Sequence, residues 1–394
     1  MFAAASHIAL KGTARLGWLD ALRGIGALAV VGEHLTTWAM PWLRPTAVNL
    51  GVYGVLVFFL VSGYIIPHSL ERHGDVRTFW IGRAFRLYPL YLAVIGVTLA
   101  LSPWIAVRDE VPRDGSAVAA HATMLLDVVG VGGVLNTMWT LSYEMVFYLL
   151  AAALFVLGVR DGRGVLPVLF AGVAAVTGAA WAAAPLSGAW LSWASLGVLA
   201  AGLGCVLAAR AVRAASVTVG VVALGLLLLS SRVPWFGAAI VAVMFAGTAI
   251  RRWERGQGPL WPVVVAAVLV AATPAWALSA GWWWVRPPVW IATVVLAGVT
   301  FAAGMALRSR RVPAALTRLG VISYSLYLVH LPLLLVLMEL VGEMRWAPTA
   351  AQVGVGVLVI ALLLPLAWLS HRFVELPGQR LGRRLAARIG HGQG

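Results

Sequence analysis

The chain has 394 residues, 61% of them hydrophobic and 11% charged, with a mean hydropathy of +0.92. That balance leaves too little polar surface for a soluble domain and reads as a polytopic membrane protein. The net charge of +15 suggests a nucleic-acid partner only until the basic residues are placed on the apolar runs, and the single cysteine, Cys205, excludes an internal disulfide and a Cys-based metal site.

Apolar runs long enough to cross a bilayer recur at 17–38, 50–70, 87–106, 139–158, 165–184, 190–209, 214–231, 233–250, 260–280, 287–307, 318–341 and 350–371. The two runs on either side of Ser230–Arg232 are short and closely joined, so a re-entrant pair is the alternative there. The expected fold is an all-α transmembrane helix bundle of 10–12 spans. Of the 29 Lys and Arg residues, 22 fall on one side of these spans, Lys11, Arg15 and Arg160 among them. Six fall on the other side, and Arg23 lies within a span. The positive-inside rule then places both termini in the cytoplasm, in an inner (plasma) membrane, and removes nucleic acid as a partner. The N-terminus reads as an uncleaved first span, because no small-residue cleavage pattern follows it. One transmembrane domain is expected over 1–380, with a short basic cytoplasmic tail at 381–394.

The first span carries Asp20, Arg23, Glu33 and His34. Each ionisable group near a helix centre costs about 2.5–3.5 kcal/mol on insertion scales, so such groups face a partner or a watery cavity. Arg23 and His34 are eleven positions apart, about 20° past three full turns, and share one helix face about 16 Å apart along the axis. A cation and a titratable base on one stripe suit a reaction site, and they also suit a buried ion-pair helix in a transporter.

The second span contains Ser62-Gly63, small enough for close helix packing or for a ligand. The following segment FWIGRAFRLYPLYL, taken as an inner loop, places Arg83 and Arg86 on one face, a pairing suited to phosphate. Pro89 should bend or start the next span. The polar stretch 107–138 contains Asp109, Glu110, His121 and Asp127 and reads as a lid or a half-inserted helix. The fourth span opens WTLSYEMVFYLL, where Glu144 either fixes the His34 tautomer or pairs with a structural arginine, with Tyr148 one turn on. In GWWWVRPPVW the tryptophans are either an interfacial belt or a platform for a ring-shaped acceptor. The eleventh span holds Tyr327 and His330, the latter a second site residue or a hydrogen-bonded structural histidine.

Together these segments resemble the acyltransferase-3 family of membrane-bound O-acyltransferases. The resemblance rests on LDALRG with ten residues between Arg23 and His34, on VFFLVSGYII, RAFRLYP, WTLSYEMVFYLL, ISYSLYLVH and the closing HRFVELPGQR. It covers about the first 150 and last 75 residues, and the middle matches only as apolar spans. Thr140 and Met145 depart from the family's usual serine and second acid, so Glu144 stands alone. The resemblance implies acyl transfer, often of acetyl, from acyl-CoA as co-substrate to a hydroxyl of a sugar, glycan or secondary metabolite, with no tightly bound cofactor. It assigns His34 as general base or transient acyl carrier, with Arg23 and Glu144 beside it. Arg83 and Arg86 are expected to hold CoA, and Trp139, Tyr148, Tyr327 and His330 to contact substrate. A secondary transporter with buried charges is the alternative, and a non-catalytic relative of the same fold is a third. The Arg-rich, Lys-poor composition points to a GC-rich bacterial genome.

Overall fold

The computed structural model describes residues 16–105, 107–108, 111–159, 163–278 and 281–391. Lys11, Arg15, Asp109, Glu110 and Arg160 lie outside the described residues. Among these residues the protein is all-α, a polytopic helix bundle without strands. In chain order the helices are α1 (Gly17–Trp38), α2 (Leu50–His73), α3 (Val76–Leu101), α4 (Gly115–Thr123) and α5 (Trp139–Val156). Next come α6 (Val165–Ala180), α7 (Trp190–Leu207), α8 (Val212–Leu229), α9 (Pro234–Glu254) and α10 (Trp261–Ala272). The chain closes with α11 (Pro287–Ala306), α12 (Ala314–Val321), α13 (Ser323–Val341), α14 (Thr349–Ser370) and α15 (Leu376–His391).

Nine described helices are long and apolar enough to cross a membrane. Each of the twelve predicted runs contains a helix, but α1 carries four ionisable residues and α6 and α10 are shorter than a span, so these three stand outside the nine. On either side of Ser230–Arg232, α8 and α9 are each long and apolar enough to cross a membrane. Buried shares of 78, 72 and 67% place α9, the α5 segment and α2 inside the bundle. Shares of 22–33% leave α3, α7, α8, α11 and α14 facing outward. Against this core α1 packs on α2, α12 and α13, and α2 packs on α9.

Two local features fix the part of the fold that matters for function. First, Gly74 takes φ of 69° and ends α2, and the Asp75 carboxylate then accepts from the backbone N–H of Arg77 and Thr78 to start α3. The predicted inner loop is therefore helix, and Arg83 and Arg86 stand on its first turns. Pro89 stays inside α3, its ring within reach of Gly378 on α15. α14 accordingly runs on without a break through a π-helical turn at His371–Glu375 into α15, which packs against α3. Second, α2 crosses α9 backbone to backbone. A Cβ on Gly63 would sit 1.7 Å from the Met244 carbonyl oxygen, and one on Gly247 would sit 2.3 Å from that of Leu60. Close packing is thus the role of Gly63, while Ser62 beside it faces a cavity.

Within the polar stretch, residues 115–138 are packed into the bundle through α4 and the turns after it. His121 donates from Nδ1 to the Ala117 carbonyl and accepts at Nε2 from the Val134 N–H, while Met124, Leu125 and Leu126 are fully buried. Gly63→Val is expected to cost about 1–3 kcal/mol through overpacking. A lowered melting temperature in detergent would show it, beside Gly82→Val, whose site has nothing within 4 Å and should stay near wild type.

Candidate active site

The stripe predicted on α1 opens into two cavities. The first, of about 120 Å³, is lined by Arg23 of α1, Ser62 of α2, Arg83 and Arg86 of α3, Glu144 of α5, and Tyr324 and Tyr327 of α13. The Arg83 guanidinium lies over the rings of Phe79 and Tyr148, 5.4 and 5.3 Å from their centroids. The Tyr148 hydroxyl in turn donates to the Glu144 carboxylate. None of Arg23, Arg83 and Arg86 makes a hydrogen bond or close ion pair with a described residue, although the charges of Asp20, Glu375 and Glu144 reach Arg23. Three guanidiniums around one carboxylate make this cavity cationic. Tyr148 does not line it but backs it.

The second cavity, of about 610 Å³, is lined by His34, Glu33 and Trp38 of α1, by Asn136, Trp139 and Tyr143, by Arg44, and by Trp282, Trp283 and Trp284. Trp282 and Trp284 stack at 4.9 Å with 16° between planes, and Arg44 sits 4.8 Å over Trp283. The tryptophans of GWWWVRPPVW thus line the same cavity as His34. Val55 and Tyr327 line both cavities and are their common boundary. Tyr327 is held there by donating to the Thr137 carbonyl at 2.8 Å, with the Thr140 hydroxyl 2.9 Å away.

His34 is half-buried, with Nδ1 2.9 Å from the Val30 carbonyl oxygen and 3.3 Å from Nε2 of His330. His330 is fully buried and lines neither cavity. The expectation that Glu144 orients His34 is corrected, since the two line different cavities and Glu144 instead takes the Tyr148 hydroxyl. Arg23 likewise belongs with Arg83 and Arg86, not with the imidazole. The reason is geometric: periodicity puts Arg23 and His34 on one face, but Val55 and Tyr327 divide that face.

Two acids were given no role of their own by the sequence. Glu33, 7% exposed, accepts from Arg44 Nε and Nη2 at 3.1 and 2.7 Å and from the Leu50 N–H at 3.0 Å, which ties the start of α2 to α1. Glu375, 2% exposed in the π-helical turn, takes the Ser325 hydroxyl and His371 Nδ1, and its charge reaches Arg86 and Arg23. Its position in HRFVELPGQR was the available signal.

A cationic cavity and an aromatic, histidine-bearing cavity that share Val55 and Tyr327 define the candidate site among the helices of the bundle. Residues 16–369 match the profile described as an acyltransferase domain, and the chain belongs to the acyltransferase-3 family. It is similar to acyltransferase MdmB of Streptomyces mycarofaciens, 28% identical over 94% of this chain and 93% of that protein. It is also similar to the peptidoglycan O-acetyltransferase OatA of Listeria monocytogenes, 28% identical over 34% of this chain and 23% of OatA. The putative membrane-bound transacylase BcsY of Komagataeibacter xylinus is 30% identical over 41% of this chain and 44% of its own length. No solved structure matches the chain. The protein is a multi-pass membrane acyltransferase.

Glu33→Ala is expected to destabilise the protein by about 3 kcal/mol, because it strands Arg44 and the first N–H of α2. Thermal unfolding in detergent measures this, and an unchanged melting temperature would show that Glu33 is not the anchor.

Proposed function

We propose that this protein moves an acyl group, acetyl foremost, from cytoplasmic acyl-CoA to a hydroxyl of a sugar, glycan or secondary metabolite in an inner (plasma) membrane. The observation that carries the reading is the meeting of the two cavities at Val55 and Tyr327, with three arginines on one side and His34 on the other. The strongly one-sided distribution of basic residues supports cytoplasmic termini and an arginine cavity on the cytoplasmic side.

The donor's phosphates are the natural ligand of Arg83 and Arg86, whose planar, permanently charged donors match phosphate oxygens. Arg23 lines the same cavity and is assigned to the donor as well, with Glu144 limiting the net charge there. The thioester end then has to pass Val55 and Tyr327 to reach His34.

On the acceptor side, a carbonyl oxygen can only accept, so the Val30 contact places the His34 proton on Nδ1 and leaves a lone pair on Nε2. Nε2 takes the acceptor's hydroxyl proton as that oxygen bonds to the thioester carbonyl carbon. The carbon–sulfur bond then breaks, the ester is formed, and CoA leaves as the thiol with the proton from His34. General base assistance of this kind contributes about 10²–10⁴-fold. The stacked rings of Trp282 and Trp284 support a ring-shaped acceptor, and the similarity to peptidoglycan O-acetyltransferases such as OatA supports a glycan. Because arginines and imidazole line different cavities, a transient acyl-His34 that carries the group across is a second reading.

Membranes supplied with labelled acetyl-CoA and an envelope-plus-metabolite extract test this. His34→Ala should lower transfer at least about 100-fold. Arg83→Ala or Arg86→Ala should raise the acyl-CoA KM about tenfold, as loss of one charge-assisted bond implies, with kcat little changed. Equal losses of kcat in all three variants would sink this division of roles. Failure to consume the donor at any acyl chain length would favour the transporter. A labelled His34 peptide trapped before acceptor is added would establish the acyl-His34 route.

A further inference from the structure

His330 is a fully buried titratable ring that none of the steps above uses. We propose that His330 is the positioning residue of the reaction, its Nε2 accepting the Nδ1–H of His34 and holding His34 in the tautomer whose Nε2 faces the acceptor. The inference rests on the reading of His34 as the reacting base.

The hydrogen positions follow from the acceptors. The Leu326 carbonyl oxygen lies 3.2 Å from His330 Nδ1, so that nitrogen carries the proton and the neutral ring keeps its lone pair on Nε2. The Val30 carbonyl oxygen lies 2.9 Å from His34 Nδ1, so that nitrogen also carries a proton. The Nδ1–H of His34 therefore stands between two acceptors, Val30 and His330 Nε2 at 3.3 Å, with 52° between the ring planes. The opposite assignment would set two lone pairs against each other at Val30 and at Leu326.

A purely structural histidine in α13 would be satisfied by its bond to Leu326 alone. Here the second nitrogen is also used, and its partner is the imidazole that lines the acceptor cavity. When His34 Nε2 takes the acceptor's proton, the ring becomes cationic and its Nδ1–H a stronger donor to His330. A second imidazole thus occupies the place that a carboxylate fills in a Ser–His–Asp arrangement. It does so without burying a charge in the resting protein. The charged groups that reach His34 are Glu33 of its own helix and Arg44 of the following loop. From α13 the titratable neighbours are His330 and Tyr327, whose ring lies 6.0 Å from that of His330.

Two substitutions in the full-length protein separate positioning from packing. In His330→Gln the side-chain carbonyl can still accept the Nδ1–H, whereas in His330→Leu only Val30 remains. Nitrogen-15 spectra of histidine-labelled protein in detergent, assigned with His34→Ala, read the His34 tautomer directly. Acetyl-CoA consumption by membranes with the same extract gives kcat and the acyl-CoA KM. Wild type and His330→Gln should show His34 protonated at Nδ1. His330→Leu should raise the Nε2–H share of His34 above wild type, with Val30 alone opposing it, and should lose at least about tenfold in kcat at unchanged acyl-CoA KM because the imidazolium loses its second acceptor. His330→Gln should keep kcat within about threefold of wild type. A His330→Leu protein with wild-type tautomer and kcat overturns the inference. So does an equal loss in both variants with a parallel fall in melting temperature, which would make His330 a packing residue. If His34→Ala itself turns over normally, the base assignment is what fails. If His34→Ala is inactive and His330→Leu is normal, only the role of His330 falls.

Discussion

A guanidinium and an imidazole on one stripe of a membrane-spanning helix each cost a few kcal/mol unless protein or water surrounds them. α1 carries both, and the core of the bundle is arranged around that cost. α2, α12 and α13 cover α1, and close backbone crossings let them approach: a Cβ on Gly54 would sit 2.3 Å from the Gly26 carbonyl oxygen. Glu33 sets the same α1–α2 register at one end, gathering Arg44, Asn49 and the first N–H of α2 on one carboxylate. With the register fixed at both places, Val55 and Ser62 of α2 come to rest on cavity walls.

Separation of the two polar groups follows from that arrangement. Arg23, Arg83 and Arg86 repel one another in a small, poorly screened space, and the protein offsets this with aromatic faces and acids placed behind them. Tyr148 does both, lending its ring to Arg83 and its hydroxyl to Glu144. Glu375 adds a second carboxylate from the far end of the chain, on the helix that packs against α3. The remaining cationic character is what an anionic donor would neutralise. His34, on the other side of Tyr327, keeps a neutral partner and an aromatic, wider surrounding suited to an uncharged hydroxyl.

The spans, the shared face of Arg23 and His34 and the pairing of Arg83 with Arg86 were all legible in the sequence, because each depends only on hydropathy or on the 3.6-residue repeat of a single helix. What periodicity does not contain is which helix stands opposite. Glu144 was read as the partner of His34 because both sit toward the same end of their spans; the structure turns Glu144 to Arg83's side and gives His34 a neighbour from residue 330. His330 itself was visible as an unusual polar residue, but its pairing joins positions 296 residues apart. The tryptophans at 282–284 carried two readings of equal composition, and what the sequence did not contain is that they line the same cavity as His34. α3 was mistaken for a loop at its start because arginines suggest water, whereas the Asp75 cap and continuous backbone bonds favour helix.

Transporters and transferases both bury charges, so burial alone does not separate the two readings, but the walls of the cavities do. An alternating-access mechanism needs one group of helices to move against another about a fixed site. Here α1, α2, α5 and α13 each contribute to both cavities, so no rigid half can close one without deforming the other. Tyr327 at the boundary is tied to the entry of α5 by two hydrogen-bonding contacts, Thr137 and Thr140. A fixed partition with a basic chamber on one side and an imidazole on the other does not suit a solute that must cross whole. It suits a donor whose charged part stays behind while a slender, neutral arm delivers its reactive end past Val55, and that is the demand that acyl transfer from a CoA thioester makes.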